Sequence, residues 1–180
     1  MKKTNKKGFT IIEVVLVLAI AGLIFLMVFI ALPALQRSQR NTRRRQDMAR
    51  ILSAFNDYSS NNNGKLPYTT KGATTGGSSP DETLKAFMDR YVGANGSDER
   101  KDPDGTQYTL KYVGEIGKEG LVAGKSEALD TNKFNHIIYF YTKAACDNGT
   151  EGKVKAGKGA RELAIFYYLE GGAIYCGDNS

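Results

Sequence analysis

Hydrophobic and polar positions fall into three regimes along the chain. From Phe9 to Leu35 the sequence is almost wholly apolar, and Val14–Leu35 runs for 22 residues without a charge. A helix needs roughly 20 such residues to cross a bilayer core, and a run rich in Val, Ile, Leu and Phe has transmembrane hydropathy. A cleaved secretory signal has an apolar core of roughly 7–15 residues and a small-residue cleavage site. This run is longer, and Leu32-Pro33-Ala34-Leu35-Gln36 is a poor site of that kind. Further on, Met48, Ile51, Leu52, Phe55 and Tyr58 recur at helical spacing and make one apolar stripe. The helix is therefore expected to continue past Pro33 and stop at Asn61-Asn62-Asn63-Gly64, with Gly64 as C-cap and Pro67 just beyond. From Phe9 to Asn62 it would be about 80 Å long. The alternative is a membrane helix followed by a separate soluble one.

The third regime is mixed. Lys65–Ser79 is rich in Gly, Ser and Thr and reads as a loop. A second helix is expected from Ser79-Pro80-Asp81-Glu82, with Ser79 as cap, Pro80 at the first position and Glu82 closing a capping box. Leu84, Phe87, Met88 and Tyr91 form its buried face, and Gly93 ends it. Four runs rich in Tyr, Ile, Phe and Val predict strands: Gln107–Val113, His136–Thr142, Glu162–Leu169 and Ala173–Cys176. Glu170-Gly171-Gly172 offers a tight connection between the last two. The predicted fold is α+β: an antiparallel sheet laid on the amphipathic half of the long helix.

Charge sharpens this division. The formal charge is +6, which by itself suggests nucleic acid. Its distribution weakens that reading. Four lysines lie in Met1–Gly8 and six arginines in Arg37–Arg50, whereas the chain from Ile51 onward carries fifteen basic against seventeen acidic residues. The arginines read first as a juxtamembrane anchor, each contributing about 1 kcal/mol at anionic headgroups. A DNA-binding stripe is the alternative, but no aromatic residue in Gln36–Arg50 supports base stacking. Cations on both sides of the apolar run give no clear positive-inside vote. The short tip and the distant cysteines place the N-terminus inside and the bulk of the chain outside.

Glu13 is the outlier. It sits one turn inside the apolar stretch, where an unpaired charge costs roughly 2.5–3.5 kcal/mol. Lys6-Lys7-Gly8-Phe9-Thr10-Ile11-Ile12-Glu13 followed by an apolar helix resembles the N-terminus of a type IV prepilin. The resemblance covers about the first 35 residues. It implies a basic leader, 1–8, cut by a membrane prepilin peptidase between Gly8 and Phe9, with Phe9 then N-methylated. It further implies a transmembrane and assembly helix, 9–35, an amphipathic continuation, 36–63, and a globular head, 64–180. The subunit would wait in the cytoplasmic membrane and then join an extracellular homo-oligomeric filament, served by a platform protein and an assembly ATPase. Glu13 of one subunit would pair with the Phe9 amine of a neighbour and set register. A plainer reading of Glu13 is an acid favourably placed on the helix dipole. The resemblance also implies that part of the helix, in the stretch Gly22 and Pro33 bracket, unwinds on assembly; alternatively, Pro33 simply marks the membrane exit.

Asp102-Pro103-Asp104-Gly105-Thr106-Gln107-Tyr108 resembles the Asp-Pro-Trp-Gly-x-x-Tyr stretch of type II secretion pseudopilins, with Asp104 in place of Trp. Asp98, Asp102 and Asp104 do not have EF-hand spacing, so this stretch is expected to be a solvated turn without a metal. Cys146 and Cys176 are compatible with a disulfide outside the cytoplasm; two buried free thiols are the alternative. A bridge would resemble the C-terminal disulfide loop of many pilins. His136, the only histidine, is expected to be structural at a strand start. No nucleophile elbow, Walker loop, zincin helix or CxxC occurs, so neither catalysis nor a cofactor is expected. Asn95-Gly96-Ser97 and Asn148-Gly149-Thr150 match the glycosylation sequon. The readings carried forward are a pilus subunit whose head contacts a surface receptor or DNA, a pseudopilin of secretion or competence machinery, and a membrane-anchored binding protein that never polymerises.

Overall fold

The computed structural model describes residues 8–68, 73–76, 80–115, 136–147 and 154–180. Met1–Lys7, Ser79 and the sequon at Asn148 lie outside these residues. The chain divides into two compact units, Met1–Gln39 and Arg40–Ser180.

The first helix, α1, runs from Ile11 to Asn61 and remains helical across Gly22 and Pro33. In the first unit its apolar side chains are exposed on every side, from Ile11 at 84% to Leu35 at 56%. It is the one helix among the described residues long and apolar enough to cross a membrane. In the second unit the predicted stripe is buried: Met48, Ile51 and Phe55 are fully covered, and Leu52 and Tyr58 are partly so. The helix ends as expected near Gly64, whose amide donates to the Ser59 carbonyl at 2.8 Å. Both Asn63 and Gly64 have positive φ there, and a Cβ on Gly64 would collide with the Arg161 guanidinium.

The second helix, α2, spans Glu82–Phe87 and passes into a π-helical turn, Met88–Val92, which ends at Gly93. Its cap is Asp81, whose carboxylate accepts from the Leu84 amide at 2.9 Å. The expected Ser79 cap is corrected accordingly. Pro80 precedes the helix, and an aspartate three residues before an amide makes the same bond a serine would.

The strands are β1 (Thr109–Glu115), β2 (Ile137–Thr142), β3 (Ala144–Cys146), β4 (Val154–Ala156), β5 (Leu163–Tyr168) and β6 (Ile174–Asp178). The main sheet has the order β1-β2-β5-β6, and β3-β4 form a separate hairpin. The head is α+β, but the sheet is mixed, because β1 and β2 run parallel. Segment 116–136 between them is long enough for the dozen or more residues a parallel crossover needs. The outer edge of β1 is met by residues 73–75, with Tyr112 N to Ala73 O at 2.8 Å and Thr75 N to Leu110 O at 3.0 Å. The predicted β5-β6 hairpin is present, joined through Glu170-Gly171-Gly172, with both glycines at positive φ.

Both sheet faces are covered, which explains why β2 and β5 read as continuous apolar runs rather than alternating ones. Leu110, Tyr112, Ile138, Phe140, Ile165 and Tyr167 pack on α1 and α2, where Phe55 lies 4.6 Å from Phe87 and 5.0 Å from Phe140 by ring centroids. Tyr139, Tyr141, Phe166 and Tyr168 join Val113, Ala144 and Val154 on the other face. Cys146 and Cys176 are bonded, tying β3 to β6.

Candidate functional site: the amino-terminal segment

The apolar segment begins with Gly8 and Phe9 ahead of the helix, and Phe9 is 88% exposed. Thr10 starts α1. Its carbonyl accepts from the Val14 amide at 3.4 Å. The Glu13 carboxylate accepts from both the Thr10 amide and the Thr10 hydroxyl at 2.8 Å, and the Glu13 amide donates to Thr10 Oγ1 at 3.4 Å. This is a reciprocal capping box, which satisfies two backbone donors that a helix start otherwise leaves open. The Thr-x-x-Glu spacing is the sequence signature of this box, and it adds Thr10 to the helix-start role of Glu13. Glu13 is the only acid between Gly8 and Gln46, and its partner within the subunit is the turn it caps.

The geometry therefore presents an exposed Phe9, one carboxylate held four residues later, and an apolar surface around the helix that needs a lipid or protein environment. Residues 3–29 match the family model of the prokaryotic N-terminal methylation motif. The chain carries a prokaryotic N-terminal methylation motif. Such a motif is typical of type IV pilins and pseudopilins, and it places Gly8, Phe9 and Glu13 inside one matched stretch. No curated protein and no solved structure matches the chain. The methylation motif supports a pilin or pseudopilin, a structural subunit anchored through its apolar helix and handled by a prepilin peptidase.

The arginine cluster that follows the motif is partly a different thing from the anchor expected of it. Arg44 is wholly buried and grips Asp102 at two points, Nε to Oδ2 at 2.6 Å and Nη2 to Oδ1 at 2.7 Å. Arg40 holds Glu170 through Nε at 2.9 Å and Nη2 at 2.6 Å, and Arg44 Nη1 reaches the same carboxylate at 2.7 Å. Asn41 takes the Glu170 backbone on both sides, donating to its carbonyl at 3.0 Å and accepting from its amide at 3.1 Å. Arg50 bonds the Glu99 carbonyl. Three of the six cations thus serve the head's own carboxylates and carbonyls. Arg37, Arg43 and Arg45 stay exposed.

The Asp102–Tyr108 stretch is an exposed turn at Asp104–Thr106, as expected, but its two ends, Asp102 and Tyr108, are buried anchors. Asp102 is buried; besides Arg44 it accepts from the Tyr167 hydroxyl at 2.9 Å, and its Oδ1 also takes the Asp104 amide at 3.0 Å. Tyr108 donates to Asp47 at 3.0 Å. Burial, followed by the nearby Asp102 charge, pushes the Tyr167 phenol well above its ordinary range. His136 sits one residue before β2 at positive φ and pairs with Asp104. Asp102, Asp104 and His136 come close enough together to share an ion, but both Asp102 oxygens are already committed to Arg44. The His136–Asp104 contact joins the Asp102 loop to the start of β2.

Proposed function

We propose that this chain is a structural subunit of a type IV pilus. The leader is removed between Gly8 and Phe9 by a prepilin peptidase, Phe9 is N-methylated, and the subunit waits as a single-pass protein with its head outside. It is then polymerised through α1 by a platform protein and an assembly ATPase. In the filament the Glu13 carboxylate leaves Thr10 and pairs with the Phe9 amine of a neighbouring subunit. Such buried pairs set register more than they stabilise. Gly22 and Pro33 are the points where α1 loosens as it moves from lipid into the filament. The observation that carries this reading is the methylation motif, continuous with an apolar run, 9–35, whose only carboxylate is Glu13. Fibres sheared from cells and counted by electron microscopy test it. Glu13→Ala should leave cleavage after Gly8 intact and remove most fibres; normal fibre yield in that variant would contradict the pairing.

A pseudopilin is the second reading, favoured by the likeness of Asp102–Tyr108 to the Asp-Pro-Trp-Gly-x-x-Tyr stretch of type II secretion pseudopilins. The Cys146–Cys176 bond near the C-terminus supports the pilus reading instead. Contact with a surface receptor or DNA falls to the exposed head.

A further inference from the structure

Two Asn-Gly pairs lie within the described residues of the head, Asn63-Gly64 and Asn95-Gly96. Asparagine is one of the thermolabile residues. Its weak point is the side-chain carbon Cγ, which the backbone nitrogen of the next residue can attack. Glycine in that place has no Cβ to shield its nitrogen. Both asparagines are exposed, so access to water does not separate them. The state of the glycine nitrogen does. Gly64 N donates to the Ser59 carbonyl at 2.8 Å where α1 closes, and the Arg161 guanidinium crowds the same glycine. The attacking atom of that pair is committed.

Asn95 and Gly96 occupy the two central positions of a turn, closed by Ser97 N donating to the Ala94 carbonyl at 3.0 Å. Gly96 has φ +83° and Asn95 a negative φ, the signs of a type II turn. The closing bond does not use the amide between the two. Among the described residues the Gly96 N–H has no hydrogen-bond partner, and no other group lies within 4 Å of where a Cβ on Gly96 would stand. Asn95 Oδ1 accepts from Gln107 Nε2 at 2.7 Å. That donor faces the oxygen on which negative charge builds as Cγ is attacked, and it leaves Nδ2, the departing group, out of the bond.

We propose that Asn95 is a site of spontaneous deamidation in the folded head and that Asn63 is protected from it. Gly96 N bonds to Asn95 Cγ, the Cγ–Nδ2 bond breaks, and Nδ2 leaves as ammonia with the proton that Gly96 N gives up. Water then opens the cyclic imide at either carbonyl, giving aspartate or, where the chain now runs through the side chain, isoaspartate. Either product adds a negative charge beside the exposed Asp98 and Glu99, and isoaspartate lengthens the backbone inside the turn. The surface of the head therefore changes with age, in a pilin and in a pseudopilin alike.

The test is incubation of the full-length protein in detergent micelles made up in heavy-oxygen water, followed by proteolysis at low pH and mass spectrometry of the peptides. A parallel sample unfolded in guanidinium chloride sets the duration, until half of each asparagine has converted there. In the folded protein, heavy oxygen should enter at position 95, as aspartate and isoaspartate together. At position 63 it should enter about tenfold more slowly, because freeing a hydrogen-bonded amide adds about the worth of that bond to the barrier. The two rates should converge in the unfolded sample. Asn95→Gln should abolish uptake within Tyr91–Arg100. No uptake at position 95 in the folded protein would overturn the proposal, as would equal rates at the two positions before unfolding.

Discussion

Arg44 and Asp102 form a two-point ion pair in which neither side chain is exposed at all. It joins α1 to a loop 58 residues further along the chain, and the Tyr167 hydroxyl completes it. Removing Arg44 takes away the guanidinium that neutralises buried Asp102, and removing Asp102 leaves Arg44 with Glu170 alone to balance its charge. Asp102→Asn or Arg44→Ala is therefore expected to cost about 3–5 kcal/mol, read as a lower urea midpoint. Arg44→Met combined with Asp102→Leu should cost far less than the sum of the single changes, because no charge is left unpaired. Additive losses in that double-mutant cycle would contradict the pairing.

Glu170 carries the acid sensitivity of the same region. Hydrogen bonds from Arg40, and then from Arg44, pull its carboxyl from an ordinary 4.5 to about 2. A depressed folded-state value contributes stability that is complete above the unfolded value and is lost as pH falls toward the folded one. Unfolding midpoints of the wild type should thus fall between about pH 4.5 and pH 2. Glu170→Gln should flatten part of that limb and lower the neutral-pH midpoint. Identical pH profiles for the two proteins would show that the clamp carries no linked proton.

The Cys146–Cys176 bond closes a separation of 30 residues. In the chain-entropy account such a loop is worth about 3–4 kcal/mol. Cys146→Ser with Cys176→Ser should lower the unfolding free energy by that amount and loosen the β3-β4 hairpin first. Hydrogen exchange at β3 and β6 amides checks the location.

Thr10 and Glu13 separate capping from assembly. Thr10→Ala removes the cap hydroxyl, at a cost of about 1 kcal/mol to the helix start, and keeps the carboxylate. Fibre yield should fall little in Thr10→Ala and steeply in Glu13→Ala. Equal losses would mean that Glu13 acts only as a cap.

How far the sequence spoke for the fold depended on the kind of signal. The apolar run, the Met48–Tyr58 stripe and the Glu170–Gly172 connection rest on local periodicity and turn chemistry, and each is present in the structure. The direction of β1 beside β2 is a property of the connection, and strands buried on both faces look alike in either sense. Strands β3 and β4 have three residues each, too short for a pattern to emerge. Arg44 read as a surface cation because its partner lies far away in sequence. The Thr10–Glu13 box is local, with its partners three residues apart, and is legible in the sequence.

The mass of the N-terminal peptide of protein isolated from native cells tests the central claim most directly. The account predicts a chain that begins at Phe9 and carries one added methyl group. A chain that still begins at Met1, with the four lysines of its tip, would contradict it.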